Sequence, residues 1–239
     1  MNTLTFLGRG SGYHITENNT SAYYIKNGTM LLIDCGETVF KTLLNNRLLD
    51  EIEELYIIIT HMHSDHVGSL AGLIGYYYWK YHKSAKLFYP EKEKMKQYLA
   101  LLGMIEDEAY TFVKGKKFSI DPLEMTVTPV KTLHNPIINA YSYHLNFIDG
   151  NDIFYSGDSK ILMENALAFL SAGNFIYQDI CISENDQGPH MTLNKMVELI
   201  PLELRPQVYC IHVDGEDYDA KAGAYGFSKV KEDEIINRY

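Results

Sequence analysis

The stretch THMHSDHVGS (60–69) sets three imidazoles and a carboxylate between positions 61 and 66. Buried, unpaired groups of this kind are costly, and a merely solvated loop has no use for such density. LYIIIT (55–60), directly before it, is a short apolar, β-branched run that reads as a buried strand. GSLAGLIGYYYWKY, directly after it, reads as a helix. His61 and His63 are two apart, so an extended backbone points both to the same side. Asp65 and His66 then fall where the chain turns into the helix. One ion suits the alternating imidazoles and a neighbouring ion the Asp–His pair. Adjacent cations need further ligands, ideally including a shared carboxylate, so a chain built around this loop has to bring distant segments onto it.

Three such segments are present. His134 lies in KTLHNP, Asp158 in FYSGDS and His212 in YCIHVD. Each follows a strand-like run and opens into polar, Gly or Pro residues, where sites on rigid scaffolds usually sit. A lone histidine at such a place is ordinarily structural. Five histidines and two aspartates in one arrangement point to a metal centre.

The rest of the chain alternates strand-like and helix-like patterns, with no Pro/Gly/Ser-rich linker and no obvious repeat. TLTFL alternates as a strand and ends in GRGSG; SAYYIKNGTMLLID reads as a hairpin turned at Asn27-Gly28. ETVFKTLLNN, EKEKMKQYLALLG, ILMENALAFLSAG and TLNKMVELI have helical spacing, whereas AKLFYP, LEMTVTPVKTLH, AYSYHLNFIDGNDIFYSGDS (turned at Asp149-Gly150-Asn151), DICIS and QVYCIHV read as strands, the last of these closing the series. This layout predicts one α+β domain over 1–239, with two stacked β-sheets and helices outside.

Composition narrows the classes. Apolar residues make up 46% and charged residues 22%, and no apolar run approaches the roughly 20 residues of a membrane span. The opening MNTLTFLGRGSG lacks the basic head and long apolar stretch of a secretion signal. Cys35, Cys181 and Cys210 show no paired spacing, so no disulfide framework is expected and cytoplasm is. The net charge of −10 repels long polyanions. Residues 80–117 nevertheless carry nine Lys against five Asp/Glu, +4 locally and −14 elsewhere. A solvated helix face accounts for that stretch better than a phosphate-steering patch.

The series His61-Met62-His63-Ser64-Asp65-His66, with His134, Asp158 and His212 in order behind it, resembles the metallo-β-lactamase superfamily. The resemblance runs from FLGRGSG through IDCGE to CIHVD, nearly the whole chain. It implies a four-layer αβ/βα sandwich with two metals at the rim between mixed sheets. A first metal would be held by His61, His63 and His134, a second by Asp65, His66 and His212, with Asp158 bridging. The nucleophile would be a hydroxide between the ions, since a bound dication lowers the pKa of water to about 7 in favourable cases. Zinc is the first choice for imidazole and carboxylate ligands; manganese and iron also suit them.

Within the superfamily, His63 in place of Glu argues against the iron-binding oxygen reductases, and Asp158 and His212 in place of Cys argue against true β-lactamases. FLGRGSG, NNTSAYYI, HNPIINAYSYHL and ISEND…GPHMT…YCIHVD resemble the ribonuclease Z branch. In that branch a histidine placed as His190 is here protonates the leaving oxygen, help worth roughly 10²–10⁴ in rate. Glu184, in ISEND, is a candidate to orient it. Ribonuclease Z proper also carries a long tRNA-gripping arm, in its short bacterial form between the positions of His134 and Asp158. Only the 23 residues 135–157 lie between those positions here. A small cyclic or short nucleotide phosphodiester is therefore expected as substrate in preference to tRNA. Hydrolysis of a lactone or thioester is the alternative, and a non-catalytic binding module ranks third. Relatives of this kind often dimerise, so a homodimer is left open.

Other features carry the blander expectation. YYYWKY (76–81) is read as core or subunit packing, GRGSG as a tight turn near the site, and Cys35 as a small buried residue. His14, His82 and His144 have no motif around them.

Overall fold

A computed structural model describes residues 1–182 and 188–230. Among these, six strands form a first sheet in sequential order: β1 (Thr5–Gly8), β2 (Ser21–Lys26), β3 (Thr29–Ile33), β4 (Glu54–Ile58), β5 (Ala85–Phe88) and β6 (Tyr110–Phe112). The first three run antiparallel, and β3 to β6 are parallel. The β2–β3 turn is closed by Asn27 (φ 52°) and Gly28 (φ 70°), the two positive values that a tight hairpin of this twist needs.

The second sheet contains β7 (Phe118–Ile120), β8 (Met125–Thr132), β9 (Ala140–Phe147), β10 (Ile153–Tyr155), β11 (Phe175–Cys181), β12 (Met191–Thr192), β13 (Val208–Ile211) and β14 (Ser228–Lys229). Its main order is β14-β13-β11-β10-β9-β8-β7, with β12 pairing β11 to the side. It is antiparallel from β7 to β10 and parallel beyond. Seven helices connect these strands: α1 (Val39–Asn45), α2 (Ser64–Val67), α3 (Leu70–Tyr81), α4 (Lys92–Leu101), α5 (Ala166–Ser171), α6 (Leu193–Leu199) and α7 (Tyr218–Ala224).

The period-two alternation of the strands sorts their side chains into three apolar layers. Met30, Leu32 and Ile57 point out of the first sheet against Leu43, Leu73, Tyr77 and Leu99 of its helices. Leu31, Ile33 and Ile58 point the other way and meet Val127, Tyr143, Leu145 and Tyr177 of the second sheet. Ile176, Val208 and Cys210 leave that sheet's far face for Leu170, Met196 and Ala222. Burying an aliphatic side chain of this size is worth roughly 1.5–3 kcal/mol, so both faces of both sheets are covered, giving helix–sheet–sheet–helix layering. The expected sandwich is the observed fold.

The differences are local. Strands β6 and β7 lie in YTFVKGKKFSI, where three lysines mask the alternation. QVYCIHV is not the last strand, because α7 and β14 follow it. The helix expected from Ile161 begins only at Ala166: the Ser159 hydroxyl bonds Ile161 and Asn165 sits at φ 57°, so the intervening residues turn instead. Tyr77 is buried in the core as expected for its cluster, while Trp79 is exposed. In the basic stretch, Lys83, Lys86, Lys92, Lys94 and Lys96 each pair with a glutamate, which leaves less free charge there than the tally implies. Among the described residues no helix is long and apolar enough to cross a membrane.

Candidate metal centre

The strands of both sheets deliver their chemistry at one rim. Beyond β4 the chain runs extended through the buried His61 to His63, then enters the one-turn helix α2 with Asp65 and His66. Gly36 lets this turn pack tightly: a Cβ there would lie 1.9 Å from the Asp65 carbonyl oxygen. His134 follows β8, Asp158 follows β10 and His212 follows β13. His212 holds φ 61°, an uncommon value for a non-glycine residue and one that recurs at functional sites.

All seven predicted side chains converge. His61, His63, His134 and Asp158 offer ligand atoms within 4.8 Å of one another, and so do Asp65, His66, Asp158 and His212. The separations match donors arranged around ions. His61 Nε2 lies 2.9 Å from His63 Nδ1, and His134 Nε2 lies 3.3 Å from that same atom. Asp158 Oδ1 is 3.3 Å from His66 Nε2, while its Oδ2 is 3.4 Å from His212 Nε2 and 3.7 Å from both His61 Nε2 and His134 Nε2. Ligands each about 2.0–2.1 Å from a tetrahedral zinc sit roughly 3.4 Å apart. Asp158 belongs to both groups, as a shared carboxylate must.

The electrostatics ask for cations. Burial pushes His61 well below the ordinary imidazole pKa, and neighbouring His66 adds to this, so it presents a neutral donor. Burial opposes the charge on Asp158, yet His212, His66 and His61 hold it ionised well below the carboxylate range. Burial likewise disfavours protonation of His212, but the neighbouring carboxylates of Asp158, Asp179 and Asp65 raise it to about 10. Burial opposes the charge on His66 too, but Asp158 and Asp34 raise it well above the ordinary imidazole value. Nε2 of each of these two histidines is buried without a hydrogen-bond partner. Orphaned polar atoms of this kind are rare in a native interior, and divalent ions would satisfy both the charge and the lone pairs.

Two buried aspartates missing from the sequence expectations hold the ligands in place. Asp34, at φ 63° just past β3, accepts hydrogen bonds from Thr60 N–H (2.7 Å), Thr60 Oγ1 (2.7 Å) and His66 Nδ1 (2.8 Å), which turns His66 Nε2 toward Asp158. On β11, Asp179 accepts from His190 Nδ1 (2.6 Å) and from Ser159 N–H (3.0 Å), and its other oxygen lies 3.5 Å from His212 Nδ1. Both aspartates are fully buried. The signal in the sequence was a carboxylate inside or ending an apolar run, TMLLID and FIYQDIC, where only a partnered charge survives. Glu184, expected to orient His190, lies outside the described residues.

His190 stands beside the centre. Its ring centroid is 5.0 Å from that of His134 and 4.9 Å from that of His212, nearly parallel to the latter. Asp179 raises its pKa against the opposing effect of burial. His134, His190 and His212 line a cavity of about 400 Å³ together with Tyr13, Asn135 and Asp214, a volume within the usual range for small-molecule sites, about 300–1,000 Å³. Ser11 and Gly12 of GRGSG line one side of it, so this stretch lies near the site as expected. No residue of YYYWKY lines this cavity, and Cys35 is fully buried, its thiol pushed up to about 12 by burial. Between His134 and Asp158, β9, β10 and short links occupy the chain, with no protruding arm.

Comparison with known proteins agrees with this geometry. The sequence profile of a family described as anti-Pycsar protein Apyc1 matches residues 2–234. The anti-Pycsar protein Apyc1 of Paenibacillus harenae is 26% identical over 243 residues, covering 96% of each chain. Among solved structures, the metallo-β-lactamase-fold protein YhfI from Bacillus subtilis superposes with a TM-score of 0.71 at 15% identity, covering 95% of this chain and 93% of that one. The short form of human tRNase Z gives a TM-score of 0.64 at 14% identity, covering 90% and 93%.

Proposed function

Because this chain belongs to the anti-Pycsar protein Apyc1 family and is a metal-dependent hydrolase, we propose that it cleaves a small phosphodiester, a cyclic nucleotide in preference to tRNA. The observation that carries the reading is the adjacency of the seven-residue centre to a histidine–aspartate pair outside those seven residues, His190 and Asp179. In this reading His61, His63 and His134 would hold one divalent ion and Asp65, His66 and His212 the other, with Asp158 available to both groups. Zinc is our choice, on the nitrogen-rich donor set. When bound, such ions supply Lewis acidity toward phosphoryl oxygens and make water a nucleophile near neutral pH.

The chain's own groups do the rest. Asp179 accepts the Nδ1 proton of His190, which fixes the ring and leaves Nε2 as the atom that carries the transferable proton. From that atom the proton passes to the departing ester oxygen as the P–O bond breaks. A lactone or thioester has less need of it, since its leaving group departs more readily. Asp34 keeps His66 turned toward the second ion, and the walls around the cavity limit the substrate's size. The small cavity, the absence of an arm between His134 and Asp158, and the net charge of −10 all disfavour tRNA, whose binding rests largely on Lys and Arg contacts to phosphate.

The test is a hydrolysis panel on metal-loaded protein: cyclic nucleotides, a bis-aryl phosphate and pre-tRNA against a lactone and a thioester. Turnover of the cyclic nucleotides and the aryl ester is expected. Turnover confined to the lactone and thioester would replace this reading with the carboxyl-ester one.

A further inference from the structure

Tyr13 is 99% exposed, yet the loop that carries it is tied down on several sides. Ser11 N–H donates to the Val213 carbonyl (2.9 Å) and Val213 N–H to the Arg9 carbonyl (2.7 Å). The His14 ring reaches that same Val213 carbonyl at 3.2 Å. Beneath the loop, the buried Arg9 guanidinium binds both carboxylate oxygens of Asp219 (2.8 and 2.9 Å) and one of Glu17 (2.9 Å). Gly12 sits against the metal centre itself: a Cβ there would lie 2.9 Å from Asp65 Oδ2. The next residue along is Tyr13, on the wall of the same cavity.

An aromatic side chain contributes to folding through the roughly 150–250 Å² it buries, and this ring buries almost none. What the anchored backbone does is hold a flat apolar surface one residue from Asp65. We infer that Tyr13 is the stacking platform for the substrate's nucleobase, a specificity-determining residue for the small nucleotide phosphodiesters proposed above. The inference rests on that proposal for the reaction but not for binding. Every base has a π-face, so the platform tolerates all of them and discriminates nucleotides from base-free phosphates.

The readout is calorimetric binding to the metal-loaded protein, with adenosine 5′-monophosphate and ribose 5-phosphate as probes. Tyr13→Ala is expected to weaken the nucleotide on the order of tenfold, the range that base stacking supplies, and to shift ribose 5-phosphate less than twofold. Tyr13→Phe keeps the ring and restores nucleotide binding. The ratio of kcat/KM for a cyclic nucleotide to that for a cyclic phosphodiester without an aromatic ring falls in step in Tyr13→Ala. Equal weakening of both probes would make the residue part of the loop's structure and overturn the inference. So would unchanged nucleotide affinity in Tyr13→Ala, or a wild type that does not bind the nucleotide. A wild type that binds it but cleaves no cyclic nucleotide keeps the platform and removes the proposed reaction. A Tyr13→Ala variant that cleaves cyclic nucleotides as well as the wild type does keeps the reaction and removes the platform.

Discussion

The two halves of the sandwich build the centre in different ways. The first sheet delivers four candidate donor side chains on one continuous segment, His61 to His66, and steadies it from β3 through Asp34. The second sheet delivers three candidate donors one at a time, from the ends of β8, β10 and β13, and steadies His212 and His190 from β11 through Asp179. A cluster on one loop is set by local backbone geometry. A cluster drawn from three strands exists only once the sheet has its order and register, so it depends on the whole second half being folded. The first half therefore resembles a preformed claw, and the second a set of groups positioned by tertiary structure.

The largest expected effect falls on the residue that joins the halves. Asp158→Ala removes the carboxylate common to both donor groups. Lewis-acid stabilisation is worth several kcal/mol and each 1.36 kcal/mol is tenfold, so turnover should fall on the order of 10³-fold or more. Bound metal, measured by elemental analysis, should fall with it. Retention of both ions in that variant would show that each donor group holds its metal without the shared carboxylate.

His190→Ala comes next. For substrates with poor leaving groups the rate should drop roughly 10²–10³-fold, while nitrophenyl esters, which leave unaided, should lose much less. An equal loss on both, compared by steady-state kinetics, would remove the proton-donor role. The two supporting aspartates then separate the halves directly. Partners that orient ligands typically matter by about 10–100-fold in metal affinity or activity. Asp34→Asn is expected to act through metal affinity, because it touches only the loop that carries His66. Asp179→Asn is expected to lower kcat on poor leaving groups as well, because it touches His190. Chelator titration of each variant, paired with kinetics, tells these outcomes apart.

The smallest effect concerns the strap between the halves, Arg9 to Asp219. Burial pushes the Asp219 carboxyl up, but the Arg9 guanidinium, with Lys229 nearby, holds it below the usual carboxylate value. A depressed folded pKa means a stabilising contribution that is complete above the unfolded value, about 3.9, and is lost as pH falls through the folded one. Replacing Asp219 by Asn should cost about 1–3 kcal/mol at pH 7. Denaturant melts should show that difference shrinking below about pH 4; a pH-independent difference would assign the loss to packing.

The same contrast explains what could be read from the sequence. The turn at 61–66 was legible because its ligands are neighbours in the chain, and LYIIIT before it marked the strand that aims them. His134, Asp158 and His212 were legible only as polar residues ending apolar runs, and became a set through the order in which they follow the turn. Asp34 and Asp179 were missed: one is a single carboxylate in the interior of a strand, the other at a strand's end, and their partners are fixed by register rather than spacing. Tyr13 carried no periodic signal, since its position depends on Val213, far along the chain. Strands β6 and β7 were obscured by lysines that the fold leaves at the surface.

Metal stoichiometry of the purified, metal-supplemented chain tests the paired centre most directly. Two divalent ions per chain, both lost from Asp158→Ala, is the predicted result. Less than one ion per chain in the wild type, with the fold intact by circular dichroism, would contradict it.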